Sequence, residues 1–120
     1  MDKPTPKERL VHIRSAINKI ISFVRDQSVD EFIADPLRQD AVLFQFIIIG
    51  EAIRHVDKKI LDKYPYTWHI PMSFRNFITH EYHKISMVRV YNAAHNLNEL
   101  MNIIEIILEK EFNTDIELSL

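Results

Sequence analysis

Between residues 73 and 83 the chain carries side chains that can bind phosphate and move protons. Wound as an α-helix at about 100° per residue, this stretch places its chemically useful side chains within an arc of roughly 160°. They are Arg75, Asn76, Thr79, His80, Tyr82 and His83. The opposite side would hold Phe74, Phe77 and Ile78, with Glu81 as its one polar residue. Surface helices usually present lysine and glutamate, so we predict that the rest of the chain positions this polar face.

The residue types on this face favour cleavage of an RNA phosphodiester without a metal ion. That reaction needs a base for the 2′-hydroxyl proton, an acid for the leaving oxygen and a cation for the charged phosphorane. Histidine can do either proton transfer near neutral pH, and Arg75 offers a permanently charged planar fork to the phosphate. Because a single His80 cannot easily be acid and base at once, a second subunit would supply the other group. From the pattern alone, a structural helix whose Arg75 and His80 pair with neighbouring helices is equally well supported.

A metal site and a nucleotide-binding loop are both poorly supported. His80 and His83 have a spacing that could share a metal ion, but Glu81 points to the other side of the predicted helix, so a third ligand would have to come from elsewhere. The chain has no cysteine and a single glycine, Gly50, which excludes thiolate ligands and a glycine-rich phosphate loop. We therefore predict no metal and no other cofactor.

Composition predicts an all-α globular protein. The 120 residues are 47% hydrophobic, and one glycine and five prolines are too few turn residues for an all-β fold. The net charge is −2, yet residues 54–89 hold seven lysines and arginines against three acidic residues, so positive charge surrounds the polar face. The polar N-terminus has no signal-peptide core, and the apolar runs are too short to span a bilayer, so we expect a cytoplasmic protein with no membrane contact.

The helix signals predict an up-and-down bundle of four to five helices. Thr5, Pro6 and Glu8 have the spacing of a capping box with proline at the first helical position. A second cap at Ser28 opens one short turn, and a helix over residues 36–56 is apolar on almost every side, as expected for a central element. A last helix starts near Ser86. We predict a single domain over residues 1–120, with its core at about 7–110 and a loosely held acidic tail at 112–120.

The sequence also predicts roles for four residues outside the polar face. Gly50 in a helix interior costs about 1 kcal/mol relative to alanine, so we expect it to serve a close helix–helix contact. Glu51 beside it most simply bonds a neighbouring helix or reaches solvent. Trp68, in the aromatic loop before the polar face, is expected to pack onto the core, whereas Tyr66 is a possible substrate contact.

The motif residues resemble a known signature. Arg75, His80 and Tyr82 match the pattern Arg-x4-His-x-Tyr of HepT-like toxins in the HEPN superfamily, in which asparagine commonly follows the arginine. The stretch Ile49-Gly50-Glu51-Ala52 resembles an Ile-Gly-Glu-Ala segment of that family, and Trp68 is similarly placed. The resemblance extends over about residues 7–110.

This resemblance implies a HEPN-like helical homodimer whose two motif helices line one cleft. It implies an endoribonuclease toxin that needs no metal and leaves a 2′,3′-cyclic phosphate, with Arg75 and His80 catalytic and Asn76 supporting them. It also implies an MntA-like nucleotidyltransferase antitoxin that inactivates the toxin by transferring AMP to Tyr82. Further possible substrate contacts are Thr79, His83, Tyr66 and His69. The alternative is a non-catalytic helical subunit that binds a nucleotidyltransferase or a nucleotide.

Overall fold

The computed structural model describes residues 2–112, and every regular element in that range is helical, as an all-α bundle requires. Seven α-helices follow one another: α1 Pro6–Val24, α2 Val29–Ile33, α3 Pro36–Arg54, α4 Lys58–Leu61, α5 His69–His80, α6 Met87–Ala94 and α7 Asn98–Phe112. A short 3₁₀ helix, Tyr82–Lys84, connects α5 to α6. Beyond Phe112, the acidic tail predicted at 112–120 lies outside the described residues.

The N-terminal caps form as their sequences predict. The Thr5 hydroxyl accepts a hydrogen bond from the Glu8 amide at 3.1 Å, and the Glu8 carboxylate accepts one from the Thr5 amide at 2.8 Å. Ser28 and Glu31 make the same reciprocal pair at the start of α2. These bonds satisfy amide groups that a helix start leaves without intrahelical partners.

Helix α3 is the central element, because it packs against both α1 and α5. Its buried apolar residues are Val42, Phe46, Ile49, Ala52 and Ile53. They join a core formed mainly with the apolar stripes of α1, α6 and α7. The opposite side of α3 leaves two large apolar side chains in solvent, Leu37 at 81% exposure and Phe44 at 59%. The all-round hydrophobicity of this helix therefore reflects one buried face and one uncovered face.

Gly50 lies where α3 and α5 cross, and the predicted close approach is confirmed. A Cβ atom on Gly50 would overlap the Cβ of Arg75 and lie 2.8 Å from the Pro71 carbonyl oxygen. Both contacts belong to α5, so the helices can approach this closely only because residue 50 has no side chain. The crossing brings the first half of α5 directly over the second half of α3.

The predicted polar helix differs from the structure at both ends. Helix α5 begins at His69, four residues before the stretch predicted as helical at residues 73–83, because Pro71 is tolerated within the first turn. It ends at His80, where Glu81 leaves the helical region with φ −131° and ψ 32°. The prediction that Tyr82 and His83 lie on the polar face of this helix is therefore wrong.

The predicted last helix is two helices. Ser86 caps α6 as expected, because its hydroxyl accepts a hydrogen bond from the Arg89 backbone amide at 3.4 Å. At the end of α6, however, the His95 backbone adopts φ −92° and ψ 3°. There the Asn96 side chain donates to the Asn92 carbonyl at 2.7 Å, a local bond that competes with the helical pattern. The buried apolar residues continue across this break into α7.

In the described part of the chain, no helix combines the length and apolarity needed to cross a membrane.

Candidate active site

The guanidinium of Arg75 is held from two sides where α5 crosses α3. Its Nη2 lies 3.2 Å from Glu51 Oε2, and its Nη1 donates to Asn76 Oδ1 at 3.0 Å. Within residues 2–112, neither Arg75 Nε nor Glu51 Oε2 makes a hydrogen bond, although both atoms are buried. The contact between Arg75 and Glu51 is thus an ion pair without hydrogen-bond geometry, and it fixes a cation that is only 22% exposed.

Glu51 shares its carboxylate between Arg75 and His55. Its Oε1 lies 3.0 Å from His55 Nε2, one turn later on α3. The hydrogen bond from His55, followed by the charge of Arg75, lowers the pKa of Glu51, while partial burial opposes the shift. Glu51 contacts the neighbouring helix α5 through an ion pair and not through the predicted hydrogen bond, and its hydrogen bond lies within α3. His55 was missed, although its spacing of four residues from Glu51 is the usual spacing of a helical ion pair.

His80 is the last residue of α5, and its side chain is exposed. It makes no hydrogen bond or ion pair to any part of the chain that the structure describes. Five residues separate it from Arg75, which corresponds to about 7.5 Å along the helix axis and about 140° around it. An anchored cation and a free imidazole therefore lie on one helix, apart from each other.

Thr79 lies between Arg75 and His80 in the sequence, and its side chain bonds the backbone of its own helix. Its hydroxyl lies 3.1 Å from the carbonyl oxygens of Arg75 and Asn76 and donates to this pair. Such back-bonding is common for threonine in a helix. A contact between Thr79 and substrate stays a prediction.

Tyr82 and His83 lie in the 3₁₀ turn that follows α5. The Tyr82 side chain is 73% exposed, and its ring meets the His83 ring edge-on at 5.7 Å between centroids. His83 Nε2 is 3.8 Å from Glu81 Oε2, and Lys84 Nζ is 3.6 Å from the same oxygen. The expectation that Glu81 points away from His83 is wrong, because the helix ends before either residue.

The aromatic loop before α5 packs as expected for Trp68. The Trp68 indole donates to the Tyr64 carbonyl at 3.1 Å, and its ring packs against Tyr66 at 4.9 Å and against the core.

Burial, followed by the negative charge of Glu99, raises the pKa of Tyr66. Tyr66 lines a mainly apolar cavity of about 360 Å³ that neither Arg75 nor His80 borders. His69 begins α5 and is exposed. The structure does not bring Tyr66 to Arg75, and substrate contacts by Tyr66 and His69 stay predictions.

Metal-ligating side chains are dispersed over residues 2–112. In that range, no three of the histidines and acidic residues are grouped so that they could hold a metal ion. The imidazole and carboxylate groups near Arg75 are instead engaged in pairs.

The paired Glu51 carboxylate predicts a specific pH dependence of stability. Because its pKa in the folded state lies below the ordinary value of 4.5, its contribution is complete above that value and is lost as the pH falls through the lowered folded-state pKa. Urea unfolding between pH 6 and pH 3 should therefore show a steeper loss of stability for wild type than for Glu51→Gln. Asp40→Asn, an exposed carboxylate of α3, is the matched control. Equal slopes for wild type and Glu51→Gln would contradict the pairing.

Comparison with known proteins assigns the chain to a family. The family model described as "Ribonuclease HepT-like" matches residues 13–107. "Putative RNase MJ0127" of Methanocaldococcus jannaschii is 30% identical over 114 residues, which is 92% of this chain and 94% of that protein. "Putative RNase MJ0125" of the same organism is 33% identical over 98 residues, covering 78% and 82%. "Putative RNase TTE0752" of Caldanaerobacter subterraneus subsp. tengcongensis is 28% identical over 109 residues, covering 89% and 97%. No solved structure gives a significant match. The chain belongs to the HepT-like ribonuclease family.

Proposed function

We propose that this protein is a metal-independent endoribonuclease in which Arg75 and His80 act at a cleft between two copies of the chain. One observation carries the proposal. Glu51 and Asn76 hold the Arg75 guanidinium on α5. The same helix ends at His80, whose exposed side chain has no partner within residues 2–112. A fixed cation and a free imidazole are two of the three groups that RNA cleavage requires, and the family is one of ribonucleases.

The proposed reaction conserves all atoms of the RNA. The 2′-oxygen attacks the neighbouring phosphorus and gives its proton to a base, while the bond from phosphorus to the 5′-oxygen breaks. The leaving 5′-oxygen takes a proton from an acid, which yields a 2′,3′-cyclic phosphate and a 5′-hydroxyl. His80 of one copy serves as base and His80 of the other as acid. Arg75 stabilises the charge on the phosphorane, and Asn76 and Glu51 are positioning residues because they orient Arg75.

The uncovered face of α3 supports a second copy beside the site. Leu37, Phe44 and Glu51 follow one another at seven-residue spacing, so they form one line along the helix. The first two are 81% and 59% exposed. Contiguous exposed apolar surface commonly marks a protein interface, and this line ends at the carboxylate that holds Arg75. A partner packed on it would bring its own α5 close to this one.

We further propose that the enzyme is a toxin, and that an MntA-like nucleotidyltransferase antitoxin inactivates it by transferring AMP to Tyr82. Tyr82 is 73% exposed, and its hydroxyl makes no hydrogen bond within the described residues, so it is accessible as an acceptor. The attached phosphate would lie two residues after His80 and beside Lys84. There its negative charge would compete with the RNA phosphate.

Removal of either proposed catalytic side chain should abolish cleavage. Arg75→Ala and His80→Ala should each lower the rate on total cellular RNA by about 10²- to 10⁴-fold, measured in EDTA with protein produced without a nucleotidyltransferase. His12→Ala, an exposed histidine of α1, should cleave like wild type, and circular dichroism should show that all variants fold.

Three outcomes would count against this assignment. Cleavage by His80→Ala at the wild-type rate would remove its catalytic role, and loss of wild-type activity in EDTA would indicate a metal. Failure of wild type to cleave, when its mass shows no modification of Tyr82, would favour the alternative of a non-catalytic subunit that binds a nucleotidyltransferase or a nucleotide.

Disruption of the α3 face should separate the two copies. Phe44→Glu places a charge in the centre of the proposed interface, so sedimentation velocity should show a monomer where wild type is a dimer, with cleavage reduced by about 10²- to 10⁴-fold, as expected for loss of one proton-transfer group. Ile106→Glu introduces the same charge at an exposed apolar position of α7 and should remain dimeric. A monomeric wild type that cleaves RNA would contradict the shared cleft.

Replacement of the proposed acceptor should prevent inactivation without loss of activity. After incubation with the nucleotidyltransferase and ATP, mass spectrometry should find AMP on wild type and none on Tyr82→Phe, and the variant should still cleave RNA. Tyr91→Phe, whose hydroxyl in wild type donates to the Gln27 carbonyl at 2.8 Å, should be modified like wild type. AMP found on the Tyr82→Phe protein would place the modification elsewhere.

A further inference from the structure

A second cavity, of about 450 Å³, lies beneath the C-terminal half of α5. Its walls combine aromatic rings, cations and a hydroxyl. They are formed by Phe74, Phe77, Lys84, Ile85, Ser86 and Arg89. None of these residues takes part in the ion pairs around Arg75. The cavity is open between the apolar side of α5 and the segment that leads from the 3₁₀ turn into α6.

We propose that this cavity is a binding subsite for the base of an unpaired nucleotide adjoining the phosphodiester that is cleaved. Phe77 stacks on the base, and Lys84 and Arg89 contact the neighbouring phosphate. This inference rests on the proposed ribonuclease function and adds to it the class of RNA that the enzyme accepts.

Phe77 is the wall residue best suited to stack on a base. It is half-buried, yet unlike Phe74 it is not among the side chains of residues 2–112 that pack against the buried core. An aromatic ring beside an open cavity offers a stacking face to any of the four bases. Phe77 also precedes His80 by three residues, and side chains at this spacing are neighbours on a helix surface, with Cβ atoms about 5–6 Å apart. A base on Phe77 therefore belongs to a nucleotide whose phosphate can reach His80.

The charged wall residues complement a phosphate rather than a purely apolar ligand. The Lys84 side chain is 65% exposed, and its one ion-pair partner within residues 2–112 is the Glu81 carboxylate at 3.6 Å. The Arg89 side chain makes no hydrogen bond or ion pair with any residue in 2–112, and it borders both cavities. Cations next to an aromatic surface are the usual composition of a single-strand binding site.

The chemistry of cleavage also calls for such a site. The attacking 2′-oxygen, the phosphorus and the leaving 5′-oxygen must lie nearly in line, an arrangement that continuous stacking in an RNA helix does not allow. A nuclease must therefore hold one nucleotide out of the stack, as proteins that recognise single-stranded RNA do with aromatic side chains. The cavity bordered by Phe77, three residues before His80, offers space and a stacking surface for that base. Loops and single strands are then preferred over duplex RNA, with little preference among the bases.

The test uses oligonucleotides with one ribonucleotide in a DNA strand, which fixes the position of cleavage. The nucleotide on either side of that bond carries its base or is abasic. With unmodified wild type below saturation, loss of the base on one side should lower the cleavage rate by about five- to a hundredfold. Phe77→Leu should cleave the intact strand more slowly and should no longer distinguish it from the abasic strand. Phe23→Leu, a half-buried phenylalanine of α1, should retain the distinction.

The cations are tested separately. Lys84→Gln and Arg89→Gln should raise KM for intact and abasic strands alike and make KM less dependent on salt, because each removes a phosphate contact. Lys19→Gln, an exposed lysine of α1, should not change KM.

Two different failures can be told apart. If wild type cleaves intact and abasic strands at equal rates, or if folded Phe77→Leu still distinguishes them, the subsite is overturned and the ribonuclease stands. If wild type cleaves neither strand nor cellular RNA, the proposed function fails and the subsite fails with it. The comparison of strands with wild type alone needs no variant to fold.

Discussion

The crossing of α3 over α5 at Gly50 is the contact on which the site depends. Only the missing side chain at this position lets the two backbones approach so closely. Glu51 follows in the chain, and at this separation its carboxylate reaches the Arg75 guanidinium at 3.2 Å. A guanidinium that is only 22% exposed would be costly to desolvate without an anion beside it. The same short stretch of α3 thus provides both the steric freedom and the compensating charge.

Most of the helices could be predicted from the sequence because their signals are local. A capping box at Thr5 and a three-to-four-residue apolar repeat depend on neighbours in the chain, and the structure confirms them. The end of α5 could not be predicted in this way. Residues 73–83 contain no proline or glycine to stop a helix, and the backbone turns at Glu81 as the chain passes toward α6. The division of the last helix at His95, where the Asn96 side chain donates to the Asn92 carbonyl, is likewise not revealed by periodicity.

The candidate site was only partly visible in the sequence, for a related reason. Spacing along one helix predicts that Arg75 and His80 share a surface, and the structure places both on α5. Contacts between helices depend on where the helices cross. The pair of Glu51 and Arg75 could therefore not be assigned from spacing, and neither could the separation of Tyr66 from the motif. His55 is the exception, since its spacing from Glu51 indicated the contact that the structure shows.

Helix α5 is attached to the molecule mainly along one side. It packs almost entirely against α3, and Ile78 is its one fully buried residue. It also borders the two cavities described above. Elements with few buried apolar contacts open at lower free energy than the rest of a fold. We therefore expect the backbone amides of the helix that carries Arg75 and His80 to exchange with solvent more readily than those of the other long helices. Any ligand that fills the cavities beneath it would slow that exchange.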